Sequence, residues 1–310
     1  MALKKRKKLK VKNFIIFIII VLIMIFSLYK VSVFIVKKIF TKEEKVVEKN
    51  ETVKKEIEKT DSLKEKYSKL DNINQKLDFF IDGNIDRYIS YKEKNSDLSL
   101  EQVIINVNIG LDNEYYTDVK PAINLDQYNV LVNKYHSLSK DYVPKDLEDI
   151  DTKYAIKGMK MVSYAKDAFE EMSKAALKDK MHILAMSTYR SYDYQVNLYN
   201  KYAKKDGVDA ANTYSAKAGF SEHQTGLAVD VYNGSTSYTS FEKTKEFNWM
   251  QENAYKYGFI MRYPKDKEKE TGYKYEAWHY RYIGKEIAKY IHDNKITYEE
   301  YYVRFLQNKK

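Results

Sequence analysis

Two stretches decide how this sequence is read: Ser221-Glu222-His223-Gln224-Thr225-Gly226-Leu227-Ala228-Val229-Asp230 and, further along, Glu276-Ala277-Trp278-His279-Tyr280-Arg281. Two neutral imidazoles and a carboxylate (His223, His279 and Asp230) make a three-ligand zinc site whose fourth position is open to water. Glu276 supplies a spare carboxylate able to deprotonate that water. This residue set points to a metallopeptidase.

The local geometry supports the grouping. If Leu227 to Val231 is a strand, Asp230 and Ala228 face one side while Leu227, Val229 and Val231 pack on the other. Thr225-Gly226 allows a turn that brings His223 back beside Asp230. Glu276 and His279 are three residues apart, so on one helical turn or a tight strand-to-helix corner both face one cavity, with Trp278 as a wall. One protein negative charge leaves the zinc acidic enough to bring its water to a pKa of ~7. Glu276 then accepts the proton and returns it to the departing amine. Arg190, in Ser187-Thr188-Tyr189-Arg190-Ser191 at a strand end, is the candidate for binding the developing oxyanion or a terminal carboxylate; Arg281 is its competitor. A lone buried His is more often a satisfied core residue than a ligand, and His136, His182 and His292 are assigned structural or surface roles. Two His with Asp and Glu in short, turn-rich segments reverse that expectation.

The net charge of +10 invites a nucleic-acid reading until it is located. Residues 1–40 hold ten Lys and Arg and no acid; removing those ten from 54 leaves 44 basic against 44 acidic residues, so 41–310 is formally neutral. Nucleic acid is therefore not among the expected partners. The basic start, residues 1–13, precedes an apolar run that continues to Val36, broken by Ser27, Lys30 and Ser32. A span needs roughly 20 apolar residues, so 14–36 reads as a transmembrane anchor with Lys30 snorkelling to the outer interface. The cations before it place the N-terminus in the cytoplasm and the rest outside. A cleaved signal peptide has the same charged start, but bulky Tyr29, Val31, Val33 and Phe34 stand where small residues are expected. The chain has no cysteine, which excludes disulfides and a lipobox thiol and suits a bacterial surface.

Residues 37–70 are rich in Lys, Glu, Asp and Ser with sparse apolar positions, and read as a solvated stalk; a coiled-coil dimer is the sharper alternative, but sustained heptads are missing. Residues 71–150 form an N-terminal extension or accessory subdomain, with a short helix capped by Ser99 and strand composition at Asn129 to Asn133. Residues 151–310 read as the catalytic domain. There Ala165, Ala168, Phe169, Met172 and Ala176 give one apolar helical face, and Phe241, Thr244, Phe247, Met250, Ala254 and Tyr257 another, ended by Gly258. Thr297 opens a last amphipathic helix. Helices and short strands mix without a strict βαβ rhythm, which favours an α+β fold.

Ser221 to Asp230 and Glu276 to Arg281, as Ser-x-His-x-x-Gly-x-Ala-x-Asp and Glu-x-Trp-His-x-Arg, resemble the zinc D-alanyl-D-alanine carboxypeptidases of the VanY type. The resemblance runs through Tyr189-Arg190-Ser191 with Gln195 and through Asn253 to Ile260, and covers roughly 75–290. It implies a compact α+β metallopeptidase domain with a short antiparallel sheet, a Zn2+ cofactor, and removal of terminal D-alanine from peptidoglycan stem peptides. Carried over by position, it implies His223, Asp230 and His279 as ligands, Glu276 as base and Arg190 on the substrate, with Ser221, Gln195 and Trp278 lining the substrate site. The family includes members acting on tetrapeptide L,D bonds. A peptidoglycan endopeptidase and a non-catalytic peptidoglycan-binding module are the alternatives.

Overall fold

The computed structural model describes residues 77–308 together with Lys30. Apart from Lys30, the apolar segment 14–36 lies outside these residues, as does the charged stretch 37–70. Among the described residues no helix is long and apolar enough to cross a membrane. The described residues 77–308 belong to one compact unit.

At the front of that unit are two helices, Ile85–Lys94 and Leu100–Ile109. Ser99 caps the second: its side chain accepts the Gln102 N–H at 3.1 Å, satisfying a donor the first turn leaves orphaned. The helix ends at Gly110, whose φ of 103° is a left-handed cap. Val103, Ile104, Val107 and Ile109 bury against Phe79, Tyr88 and, from the C-terminal helix, Val303. Two small ladders follow. Strand β1 (Lys120–Pro121) pairs in parallel with β2 (His136–Ser137), and β3 (Leu147–Asp149) pairs antiparallel with β4 (Lys160–Val162).

The strand composition at Asn129 to Asn133 does not produce a strand, although Val130, Leu131 and Val132 are buried. Side chains take the backbone acceptors that a ladder would have used. The Tyr298 hydroxyl donates to the Asn129 carbonyl at 2.6 Å, and Arg281 Nη2 donates to the Val130 carbonyl at 2.7 Å. β-branched residues here signal burial, not pairing.

The main sheet has four strands: β5 (Leu184–Ser187), β6 (Ala228–Tyr232), β7 (Phe259–Met261) and β8 (His279–Tyr282), in the order β5-β6-β8-β7, with every pair antiparallel. Alternation along the strands gives the sheet two unlike faces. On one, Val229, Val231, Phe259 and Tyr280 pack into a core with Ala165, Phe169 and Met172 of helix Ser163–Lys178, the face expected from spacing. On the other, the register sets Asp230 opposite His279 and Ala228 opposite Arg281. This second face carries the polar residues, and beyond it Leu131, Ile260, Ile287, Tyr298 and Tyr302 form a separate apolar cluster under helices Lys285–Asn294 and Tyr298–Phe305.

The stripe from Phe241 to Tyr257 is three pieces: a 3-10 turn Tyr238–Lys243, helix Lys245–Asn253 and a 3-10 turn Ala254–Tyr257. Thr244, counted by spacing as part of the stripe, is an N-cap that accepts the Phe247 N–H at 3.2 Å. Gly258 closes the last piece with φ 88°, as its position suggests. The mixture of helices and small sheets is α+β.

Candidate active site

The site grows from strands β6 and β8. Asp230 and His279 are direct cross-strand partners, and His279 Nδ1 lies 2.9 Å from Asp230 Oδ1. His223 comes from the 3-10 turn Glu222–Thr225, which is redirected into β6 by Gly226 at φ 69°. A Cβ on Gly226 would sit 2.9 Å from Leu147 Cδ2 and 3.0 Å from Val162 Cγ2, so both space and backbone conformation demand glycine. The turn returns His223 Nε2 to 3.3 Å from Asp230 Oδ2, the folding-back that Thr225-Gly226 implies.

These three side chains suit a metal. One candidate donor atom from each of His223, Asp230 and His279 lies within 4.8 Å of the others. His223 Nδ1 is 2.6 Å from the Thr188 carbonyl, which can only accept, so Nδ1 carries the hydrogen and Nε2 keeps a free lone pair. Burial, helped by the Arg190 charge, pushes the His223 imidazole down to about 4, so it is neutral as a ligand must be. Burial also opposes a charge on Asp230, yet His223 and Arg190 hold its carboxyl well below the usual range. On His279 burial is outweighed by Asp230 and Glu222, which hold the imidazole up to about 9. A proton and a metal therefore compete for His279.

The cluster opens onto a cavity of about 500 Å³. Arg190, Gln195, Ser221, Glu276 and Trp278 all line it beside the three metal-binding candidates. Glu276 sits on the corner before β8, where its carbonyl accepts the His279 N–H at 3.3 Å. Burial pushes its carboxyl up to about 8; the Asp230 charge adds to this, while His279 and Arg190 pull the other way. A bound divalent cation would favour the carboxylate. Arg190 follows the irregular end of β5, where the register slips between Ala185 and Ser187. Its Nε donates to Ser187 Oγ at 2.9 Å and its Nη2 to Asp230 Oδ2 at 2.6 Å. A guanidinium has five N–H donors, so others remain for a ligand. Gln195 donates through Nε2 to the Ala216 carbonyl at 2.8 Å, leaving its buried Oε1 without a partner among the described residues. Trp278 meets Tyr238 edge-on at 5.1 Å, and Tyr263 stacks on His279 at 4.8 Å.

Arg281 is not brought to this cavity. It is buried beneath the site, donating to Glu222 Oε1 at 2.8 Å and to the Tyr128 and Val130 carbonyls at 2.9 and 2.7 Å. Spacing alone left it a competitor of Arg190; it shares the sheet face of Asp230 and His279, but Glu222 and the two carbonyls take up its guanidinium away from the cavity. Reading from sequence passed over Glu222, Arg262 and Glu299, which with Arg281 form a fully buried ionic group of two acids and two bases. The one available signal was Glu222 itself, a charged residue inside an otherwise buried turn.

A His-Asp-His group able to hold a metal ion, on an α+β scaffold with a carboxylate and a guanidinium over one cavity, is the arrangement of a metallohydrolase. Residues 158–285 match the family model described as VanY, D-alanyl-D-alanine carboxypeptidase. YodJ of Bacillus subtilis (strain 168), named as a carboxypeptidase, is 40% identical over 210 residues, spanning 64% of this chain and 77% of that protein. Among solved structures, the LdcB LD-carboxypeptidase superposes with a TM-score of 0.57 at 39% identity, covering 61% of this chain and 91% of that one. The D,D-pentapeptidase VanY from a VanB-type resistance cassette, in complex with Zn(II), superposes at 0.50 with 30% identity, covering 56% and 98%. The chain belongs to the VanY family of D-alanyl-D-alanine carboxypeptidases, and its His223, Asp230 and His279 form a group that could hold a metal ion.

Proposed function

We propose that this protein is a membrane-anchored, extracytoplasmic zinc carboxypeptidase that hydrolyses the C-terminal D-alanine from peptidoglycan stem peptides. The observation that carries the reading is the convergence of His223, Asp230, His279, Glu276 and Arg190 on one cavity. His223, Asp230 and His279 would hold the zinc, which when bound would supply Lewis acidity to activate a water and polarise the scissile carbonyl. Glu276 takes the proton released on attack and delivers it to the leaving D-alanine amine. Arg190 offers its remaining N–H groups to the developing oxyanion or the terminal carboxylate. Ser221 and Gln195 line the substrate's path, Gln195 with an acceptor free for a peptide N–H, and Trp278 walls it. In the chain's organisation, residues 1–13 form a cytoplasmic tail, 14–36 the anchor and 37–70 a stalk; 71–150 an extension ahead of the catalytic 151–310.

The bond cleaved has two readings. The family description favours the D,D bond of pentapeptides. The greater likeness to an LD-carboxypeptidase, 39% identity and TM-score 0.57 against 30% and 0.50 for the D,D-pentapeptidase, favours the L,D bond of tetrapeptides. Mass spectrometry of synthetic tetrapeptide and pentapeptide stems incubated with the zinc-loaded protein separates them. Loss of one D-alanine from either stem is the expected result and names the bond. Internal fragments would mark an endopeptidase, and two intact stems a binding module.

A further inference from the structure

Beneath the zinc ligands lies a buried charge relay that the reaction itself does not use. Glu222 is buried at 2% exposure, and its Oε1 accepts from both Arg262 Nε and Arg281 Nη1 at 2.8 Å. Arg262 in turn grips Glu299 with both terminal nitrogens, Nη1 to Oε2 at 2.8 Å and Nη2 to Oε1 at 2.6 Å. That leaves Glu222 Oε2 without a hydrogen-bond partner among the described residues, and the same holds for His279 Nε2. The two orphaned atoms face each other at 3.5 Å. Buried polar atoms are rarely left unmatched, so this pairing calls for a reason.

We infer that Glu222 is a positioning residue for the zinc site: its Oε2 receives the Nε2–H of His279, which turns Nδ1 toward Asp230 and fixes it as the metal-binding nitrogen. This rests on the zinc reading above and deepens it. Coordination through one ring nitrogen places the hydrogen on the other, and a carboxylate behind that hydrogen locks ring orientation and raises ligand basicity. His223 and His279 are thus held oppositely, the first by a backbone carbonyl on its Nδ1 and the second by a carboxylate on its Nε2. Two arginines on Oε1 hold Glu222 ionised and direct its other oxygen at the ring. The relay ends on Glu299, in the first turn of helix Tyr298–Phe305, which lies outside the 158–285 family match. The C-terminal helix is by this route a support of the metal centre.

Long-range 1H–15N NMR of the zinc-loaded full chain tests the assignment without altering it. The expected spectrum has the hydrogen of His279 on Nε2 and that of His223 on Nδ1; a His279 hydrogen on Nδ1 overturns the inference. A chain that takes up no zinc overturns the zinc reading and the inference with it. Variants then measure the strength of the relay by chelator competition and by the visible spectrum of the cobalt-substituted protein. Glu222→Gln is expected to weaken zinc binding about 10- to 100-fold and to shift the cobalt bands. Glu299→Gln, one link removed, keeps the zinc contacts intact and is expected to give a smaller loss in the same direction. Folded variants with unchanged zinc affinity and cobalt spectrum overturn the role; if Glu222→Gln does not fold, Glu299→Gln and the wild-type spectrum decide.

Discussion

At the scale of single residues, the five side chains proposed for the site divide into three for the metal and two for the substrate, and substitution should separate the two. Glu276→Gln keeps a similar shape but cannot take a proton. It should bind about one zinc as the parent does while kcat falls about 10²- to 10⁴-fold; metal analysis beside stopped-time hydrolysis of a stem peptide checks this, and unchanged turnover would remove Glu276 as the base. These residues were legible in the sequence because the chemistry needs particular side-chain types close together in short segments. Glu222, Arg262 and Glu299 were not. Each lies far in sequence from at least one partner, and a charged residue gives no sign that it will be buried until the fold brings its counter-ion.

At the scale of elements, the turn into β6 carries a demand disproportionate to its length. Gly226→Ala puts a Cβ against Leu147 and Val162 in a conformation unfavourable to other residues. It should lower stability by roughly 1–3 kcal/mol and weaken zinc binding with it, since His223 hangs on this turn; urea melts with and without chelator measure both, and an unchanged midpoint would show that the turn relaxes freely. Strand β6 and helix Ser163–Lys178 were legible because their apolar spacing matches burial on one face. The stripe ending at Gly258 was legible only as a stripe. Periodicity registers which side is buried, not where Thr244 stops one helical piece and begins another. Asn129 to Asn133 failed for a related reason: the composition records burial, and only Tyr298 and Arg281, far along the chain, reveal that its carbonyls are used without a ladder.

Across the whole molecule, charge is arranged in layers: a basic, apolar start, then a formally neutral remainder. The full chain should stay in the membrane pellet after a high-salt wash, whereas a trimmed soluble product would show a cleaved leader. Stability should depend on pH through His136, remote from the zinc cluster in sequence. Burial, with the Lys120 charge adding, pushes its imidazole down to about 4. A group that titrates lower in the fold than in the unfolded chain leaves stability intact above pH ~6.5 and removes it as pH falls toward 4, here by at most about 3 kcal/mol. His136→Asn should therefore lose less stability than the parent between pH 7 and 4.5 in denaturant melts; equal losses would assign the acid sensitivity elsewhere. The cross-strand pairing of Asp230 with His279 has a last consequence. A slip of one residue between β6 and β8 would turn one of them into the apolar core, and no partial zippering leaves half a site. Sheet alignment and assembly of the site are thus a single event, since only the correctly aligned chain brings Asp230 and His279 together.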